Sequence, residues 1–304
     1  MSKTMLAIVG GGAVSGLLYV LAASNVMGAV LLVPLPLFLV GLGSGAAASL
    51  AAGGIGVLCA GGAGGFEGAL KYALASAAPV ALVTRQALLS RAARTGLEWY
   101  PPGLMLAWLT GFGLLVVTAA VAWYSGAPGG LEEEIRATLA AALERMAATP
   151  EQGRIEAFAR GIAPILLGLG TAMWMMVIAI DGILAQGLLA RFKRSLRPSP
   201  AVEDVDLPHW LVVALAAAVA LTFIGGPAKF LGQNAIAVLG VPFFFAGLAV
   251  VHALVRRLSG GPLALFAFYV IMAIFGWPVL LVAGLGLIDQ WVAFRARWRS
   301  EKGR

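Results

Sequence analysis

Charge is nearly absent from the start of the chain: residues 5–66 contain no Asp, Glu, Lys, Arg or His. Charged residues make up 12% of the whole sequence and hydrophobic ones 61%, whereas soluble domains carry roughly 25% charged residues. A soluble core helix does not stay uncharged over such a length. At about 20 residues per crossing, this run has room for three membrane spans. The composition therefore predicts a membrane protein.

Cysteine and histidine are also scarce, with one Cys and two His in the chain. Cys59 lies in an apolar segment and can form neither an internal disulfide nor a cysteine-based metal site. His209 and His252 have no acidic cluster beside them, so neither a metal nor a cofactor is expected. No Ser-His-Asp set or Walker loop is visible, which argues against an enzyme. A lipid-acting intramembrane enzyme is the alternative left open.

Three consecutive glycines near the N-terminus, in the stretch AIVGGGAVSG, resemble a dinucleotide-binding turn. That turn needs an acidic residue about 20 positions later, but the next acid is Glu67. Gly12 and Gly16 instead have the small-xxx-small spacing that lets two membrane helices approach closely. A cleaved signal peptide is the other interpretation. We favour a retained first span, because the apolar run is longer than a typical signal sequence and more uncharged sequence follows.

Uncharged stretches divided by charge, proline and glycine predict an all-α, polytopic transmembrane helical bundle of about ten spans, forming a single membrane domain over residues 1–304. The predicted segments are residues 5–24, 27–42, 44–62, 68–90, 103–124, 161–189, 209–226, 231–255, 262–275 and 278–294. The last two lie in one uncharged run that Gly276-Trp277-Pro278 interrupts. One kinked helix would give nine spans, and two short helices give ten.

Basic clusters fix the expected orientation, since cytoplasmic loops carry the excess of Lys and Arg. They are Arg85, Arg91 and Arg94; Arg191, Lys193, Arg194 and Arg197; Arg256 and Arg257; and Arg295, Arg297, Arg299, Lys302 and Arg304. Ten spans place every cluster, and both termini, on the cytoplasmic side of the membrane. The net charge of +7 then faces anionic lipid, and no nucleic-acid partner is expected.

Two loops interrupt the spans. Residues 125–160 are expected to form an extracytoplasmic loop. It contains a predicted amphipathic helix over Leu131–Ala148, whose apolar stripe is Leu131, Ile135, Leu139, Leu143 and Met146. This helix would lie on the membrane, cap the bundle or bind a partner. Residues 191–208 form the expected cytoplasmic loop, and its part Arg197–Asp206 is interpreted as a solvated connector.

Asp181 is the leading functional candidate, because a charged residue inside a bilayer is costly and is a functional hypothesis by default. It lies ten residues before Arg191, so about 15 Å of helix separates it from the membrane border. A structural ion pair or a protonated acid is the alternative. Arg85 is the predicted partner, although its long side chain could instead snorkel to the headgroups.

Further substrate-binding or ion-pair candidates are polar side chains and helix-breaking prolines within the spans: Gln86, Gln186, Asn234, Pro34 and Pro36. The two prolines are predicted to break the second span near its middle. Broken helices free backbone groups that transporters use to bind substrates. A simple kink filled by neighbouring helices is the other interpretation.

Three stretches together, TGLEWYPPGLMLAW, DGILAQGLLARF and GLIDQWVAFRARW, resemble the YybS-like family of predicted bacterial membrane proteins. The likeness covers residues 5–298 and implies a multi-pass membrane protein without an assigned activity. The early stretch VPLPLFLVGLGSGAAASLAAG is distantly similar to the substrate-binding subunits of energy-coupling-factor vitamin transporters.

The sequence thus favours a small-molecule transporter or a membrane substrate-binding subunit. The alternative is a scaffold or assembly factor for envelope or division proteins. Expected partners are the lipid bilayer, a small-molecule substrate and other membrane subunits; an ATPase would have to be one of those separate subunits.

Reporter fusions test the predicted orientation. A reporter placed within residues 125–150 should register outside the cytoplasm, and reporters after Arg197 and after Arg304 should register inside it, since the basic clusters stay in the cytoplasm. An external C-terminus would contradict the ten-span arrangement.

Overall fold

The chain forms two compact units in the computed structural model, which describes residues 2–24, 26, 28–93, 96–146, 152–201, 205–257, 260–292 and 294. The first unit comprises Met1–Leu109 and Met176–Asp206, and the second comprises Thr110–Met175 and Leu207–Arg304. Arg94, Ala148 and the basic tail from Arg295 to Arg304, all of which entered the predictions above, lie outside the described residues.

Helices account for nearly all of the described structure, so the all-α prediction is confirmed. They are α1 (Lys3–Ala23), α2 (Pro34–Ser44), α3 (Ala46–Tyr72), α4 (Ala78–Ala87), α5 (Pro102–Trp123), α6 (Gly130–Met146), α7 (Gln152–Arg191), α8 (Trp210–Leu221), α9 (Gly226–Val255), α10 (Gly261–Phe275) and α11 (Pro278–Val292). A 3₁₀ helix over Ala29–Leu32 precedes α2, and a π-helix over Ala73–Ala77 joins α3 to α4.

One short antiparallel hairpin was not predicted. Strand β1 (Ser90–Ala93) pairs with β2 (Gly96–Trp99), with Ser90 opposite Trp99. Arg91 and Glu98 face each other across it and form an ion pair of 2.8 Å. The strands are too short and too exposed to produce the alternating apolar pattern by which strands are recognised in sequence.

Apolar helices of membrane-spanning length identify the chain as a helical membrane protein. Among the described residues, five helical runs are long and apolar enough to cross a bilayer: Lys3–Ala23, Ala46–Ala87, Pro102–Trp123, Gln152–Arg191 and Gly226–Val255. Four shorter apolar helices accompany them: Ala29–Ser44, Trp210–Leu221, Gly261–Phe275 and Pro278–Val292.

The run from Ala46 to Ala87 folds back on itself at Gly64 and Gly65, where the backbone leaves the helical conformation. Gly65 has φ +62°, which glycine adopts without steric cost. On either side of this turn, Gly53 faces Ala77 and Gly56 faces Tyr72, as two antiparallel helical arms require. The third and fourth predicted segments are therefore separate, and all ten predicted segments occur as helix in the described part of the chain.

The last two apolar helices are also separate. Gly276, with φ +67°, ends α10, and Pro278 opens α11. Proline suits the first turn of a helix because the amide hydrogen it lacks would have no intrahelical partner there. The single long, kinked ninth helix is therefore not formed.

Glycines bring helices into backbone contact in the first unit. A methyl group at Gly12 would collide with the carbonyl of Ala52, and one at Gly16 would collide with Cys59 and the backbone of Gly56. These contacts join α1 to α3, so the predicted helix-packing role of Gly12 and Gly16 is confirmed. Around them, Leu37, Phe38, Tyr72 and Val80 are fully buried.

Helix α9 is the most buried of the five long apolar runs and forms the centre of the second unit. A methyl group at Gly232 would meet the carbonyl of Ala218 in α8. At Gly247 it would collide with the carbonyl of Val282 in α11, and at Gly286 of α11 with the carbonyl of Phe243. The backbones of α9 and α11 therefore touch at this crossing.

The predicted amphipathic helix is present as α6, which the structure describes up to Met146. Leu131, Ile135, Leu139 and Leu143 are half-buried, whereas Met146 is 83% exposed. The expected surface that would cover this stripe, a membrane or a partner, stays a prediction. Residues 152–160, predicted as loop, are the first turns of α7, where Glu156 pairs with Arg160 one turn later.

Replacing Gly247 by Ala should lower the free energy of unfolding by about 1–3 kcal/mol, because the added methyl group overpacks against the Val282 backbone. Gly240 on the same helix is the matched control, since nothing lies within 4 Å of a methyl group placed there. Thermal unfolding in detergent measures both variants. Equal stability of Gly247→Ala and Gly240→Ala would refute the tight crossing.

Candidate functional site

Asp181 is buried inside the first unit, with 2% of its surface exposed. It belongs to the apolar stretch MMVIAIDGILAQG of α7. Its neighbours on the buried side of that helix are Ile178 and Ala185, both without exposed surface. The carboxyl group therefore has almost no exposed surface and shares its face of α7 with buried apolar side chains.

The first turn of α2 lies against this carboxyl group. The backbone N–H of Leu35 interacts with Asp181. Leu35 is the second residue of α2, where backbone N–H groups lack intrahelical acceptors. The prolines on either side, Pro34 and Pro36, have no N–H to offer. Leu35 is thus the one of these three residues with a backbone N–H that can donate to Asp181. The positive end of the α2 dipole also points at the carboxyl group.

The two prolines change the helix type of the second span and do not break it outright. The 3₁₀ helix ends at Leu32, Val33 keeps a right-handed helical conformation (φ −57°, ψ −44°), and Pro34 opens α2. The carbonyl of Val33 accepts a hydrogen bond of 2.6 Å from the Ser15 hydroxyl. A change from 3₁₀ to α-helix accommodates the missing N–H groups of the prolines. It leaves fewer backbone groups without hydrogen bonds than a complete break of the helix would.

Helices α2 and α7 run in the same direction beside each other. Leu35 meets Asp181, Phe38 lies beside Gly182, and Leu189 lies beside Gly43. A methyl group on Gly182 would just contact the Phe38 ring at 3.5 Å. Within the described residues, the carboxyl oxygen Oδ2 of Asp181 is buried and has no hydrogen-bond partner.

Comparison with known proteins assigns the chain to a family. Residues 12–290 match the family described as Predicted membrane protein (DUF2232). The chain belongs to this family. The match agrees with the resemblance to YybS-like membrane proteins of unknown function. Neither a curated protein nor a solved structure matches the chain, so the comparison supports a membrane protein and assigns no activity.

Arg85, the predicted partner of Asp181, is placed on the outside of α4. Its side chain is exposed, while Thr84 and Gln86 on either side of it are buried. Among the described residues no ion pair joins Arg85 to Asp181. The exposed side chain can reach polar surroundings through its long stem, which fits the snorkelling alternative.

Gln186 holds the segment that follows α7. Its Nε2 donates hydrogen bonds to the carbonyl of Arg197 at 2.9 Å and to the hydroxyl of Ser199 at 3.3 Å. Gln186 therefore anchors a connector five residues along α7 from Asp181. In this position the amide stabilises the local chain path.

Arg197, which sequence reasoning placed in a solvated connector, is buried with 5% of its surface exposed. Its Nη1 donates 2.8 Å to the carbonyl of Ala87 at the end of α4, and its guanidinium lies over the Trp99 ring at 5.8 Å. Burial lowers the pKa of this guanidinium. The prediction of solvent exposure is wrong for this residue because the C-terminal carbonyls of α4 attract a cation.

Asn234 belongs to the second unit and bridges α9 to α7. Its Nδ2 donates 2.9 Å to the carbonyl of Pro164, and its Oδ1 accepts 2.5 Å from the N–H of Gly168. Pro164 and Gly168 are the two members of one i, i+4 backbone pair of α7. A side chain at Gly168 would collide with the Asn234 backbone. The geometry gives Asn234 a packing role.

A buried hydroxyl pair was missed by the sequence reasoning. The hydroxyls of Ser15 and Tyr72 lie 2.7 Å apart, and both residues have no exposed surface. Gly56 leaves the space that the Tyr72 ring occupies. Serine and tyrosine are common in apolar helices, so no signal in the sequence singles out this pair.

An open, charged cavity of about 720 Å³ lies in the second unit between α6 and the start of α7. Its charged lining is Glu132, Glu133, Arg136, Glu156 and Arg160. Arg136 pairs with both Glu133 and Glu156, and Arg160 pairs with Glu156 at 3.1 Å. The hydrogen bonds that Arg136 donates to the Glu133 carboxylate raise the pKa of the Arg136 guanidinium. These pairs join α6 to α7 and neutralise most of the lining charge.

Replacing Arg197 by Gln should lower the free energy of unfolding by roughly 1.5–3 kcal/mol, the usual contribution of a hydrogen bond to a charged group. The matched control is Arg194→Gln, because the Arg194 side chain is exposed and should tolerate the change. Thermal unfolding of the purified variants in detergent provides the comparison. A loss of similar size in both variants would show that Arg197 is not a specific anchor.

Proposed function

We propose that the chain is a small-molecule transporter or the membrane-embedded substrate-binding subunit of one, with Asp181 at its functional site. The observation that carries this proposal is a buried acid on α7 that lies against the first turn of α2, with one carboxyl oxygen unpaired among the described residues. Structural polar groups in membrane helices normally find partners. Asn234 and Ser15 have such partners, whereas one oxygen of Asp181 has none among the described residues. An acid within a membrane helix is a functional hypothesis by default.

The proposed orientation has both termini in the cytoplasm of a bacterial inner membrane. Contacts within the first unit support it. Gly11 faces Val40, and Ser15 reaches Val33, so α1 and α2 are antiparallel. Because α2 and α7 are parallel, the second and sixth spans run the same way, as the basic residues at the end of α7 require. In this orientation Asp181 lies in the half of the bilayer nearest the cytoplasm.

A second candidate function is a membrane scaffold for envelope proteins, and α6 favours it. No residue of α6 is buried, and its stripe of Leu131, Ile135, Leu139 and Leu143 stays half-exposed. A partner helix or the membrane surface would cover that stripe. In this alternative Asp181 serves packing alone, and the partners are other membrane subunits.

Purification followed by mass spectrometry of the denatured extract tests the transporter proposal. A small molecule should accompany the wild-type protein, and its amount should fall at least about tenfold in Asp181→Asn, which corresponds to about 1.4 kcal/mol of binding free energy. The variant should keep a monodisperse elution profile, since Asn preserves the shape of Asp.

Two control variants separate function from packing. Glu67→Gln changes an acid that pairs with Lys71 at the exposed turn of α3, and Arg85→Gln changes the exposed cation of α4; both should retain the molecule. If Asp181→Asn aggregates and Arg85→Gln restores its yield, the two residues form a structural pair and the proposed site is wrong. If wild type carries a membrane protein and no small molecule, the scaffold function is favoured.

A further inference from the structure

We propose that the Asp181 carboxyl group is a proton-binding site, which takes up and releases H⁺ and does not coordinate a metal cation. The inference rests on the proposed function in one respect: a coupled transporter would use this proton to drive its substrate. Proton binding itself needs only the geometry around Asp181.

Opposing interactions act on this carboxyl group. The N–H of Leu35 and the positive end of the α2 dipole favour the carboxylate. Surroundings of apolar side chains favour the neutral acid, because transfer of charge out of water is costly. The two carboxyl oxygens differ accordingly: one lies toward the Leu35 N–H, and Oδ2 is unpaired within the described residues. An oxygen without a donor partner is free to carry the proton.

A metal cation does not fit the same surroundings. Hard cations need several oxygen ligands, and no group of three His, Cys, Asp or Glu residues suited to a metal occurs among the described residues. The backbone group that approaches Asp181 is an N–H, which repels cations. The positive dipole end of α2 opposes a cation in addition. A proton requires one carboxyl oxygen and no further ligand.

The titratable groups of the surrounding elements are engaged elsewhere. Helix α2, which packs against Asp181, has no titratable side chain over Pro34–Ser44. The Tyr72 hydroxyl binds Ser15, Glu67 and Lys71 pair with each other at 2.5 Å, and Arg85 is exposed. On α7, Arg191 is exposed at the helix end. A titration seen at Asp181 is therefore its own.

Labelling with dicyclohexylcarbodiimide tests the inference on the full-length protein in detergent. This apolar reagent reacts with a protonated carboxylic acid in a membrane environment and converts it to an acylurea. Peptide mapping of wild type should place the adduct on Asp181. The initial labelling rate should fall about tenfold for each pH unit above the midpoint of titration, as the protonated fraction does. Added NaCl should not protect the site.

Because the adduct is mapped on the wild-type protein, the test does not depend on how any variant folds. Two variants then check that the labelled residue is Asp181. Asp181→Glu should keep the adduct, and Asp181→Asn should lose it without affecting any label elsewhere. Absence of an adduct on monodisperse wild type, a rate that does not change with pH, or protection by Na⁺ would each overturn the inference. Protection by Na⁺ would identify a cation site instead.

The labelling experiment can fail independently of the co-purification experiment that tests the proposed function. If a small molecule co-purifies through Asp181 and the carboxyl is not labelled, the proton site is wrong and the binding function stands. If Asp181 labels with the expected pH dependence and no small molecule co-purifies, the proton site stands and the substrate-binding proposal is wrong.

Discussion

The structure depends on backbone-to-backbone contact between helices. Lipid tails are as apolar as leucine, so no hydrophobic force drives membrane helices together, and close van der Waals packing must replace it. Glycine provides that contact at the centre of each unit: Gly12 and Gly16 let α1 approach α3, and Gly247 and Gly286 let α9 approach α11. These glycines determine how closely the helices approach, and the interhelical distance in turn determines which other side chains come into contact.

Close packing leaves buried polar groups few places to find partners, and the chain satisfies them with neighbouring backbone. Ser15 donates to the carbonyl of Val33, Asn234 bonds both members of a backbone pair in α7, and Arg197 donates to the end of α4. Asp181 follows the same rule with only one of its oxygens. Within the described residues, Arg197 Nε and Gln186 Oε1 are also buried without a hydrogen-bond partner. Asp181 differs from these two residues because it is an acid within an apolar helix.

Much of the helical architecture is predictable from sequence. The length of an uncharged run indicates how many times it can cross a bilayer, and glycine or proline indicates where one helix ends and the next begins. The separate arms of α3 and the break before α11 follow from Gly64-Gly65 and Gly276-Trp277-Pro278. Contacts between distant segments do not follow. The sequence around Arg197 predicts exposure to solvent, because it does not indicate that the guanidinium contacts Ala87 and Trp99. The similar depths of Arg85 and Asp181 along their helices predict that they lie near each other. The structure differs because depth along a helix does not determine which way a side chain faces.

The turn at Gly64 and Gly65 bears on how the chain enters the membrane during synthesis. Two antiparallel helical arms joined by a tight turn can insert together as one hairpin, and each arm satisfies its backbone hydrogen bonds within itself. Glu67 and Lys71 follow the turn directly, and their ion pair gives this segment no net charge. A neutral turn crosses the bilayer at lower cost than a charged one, and the arms of α3 need no charged loop to be translocated.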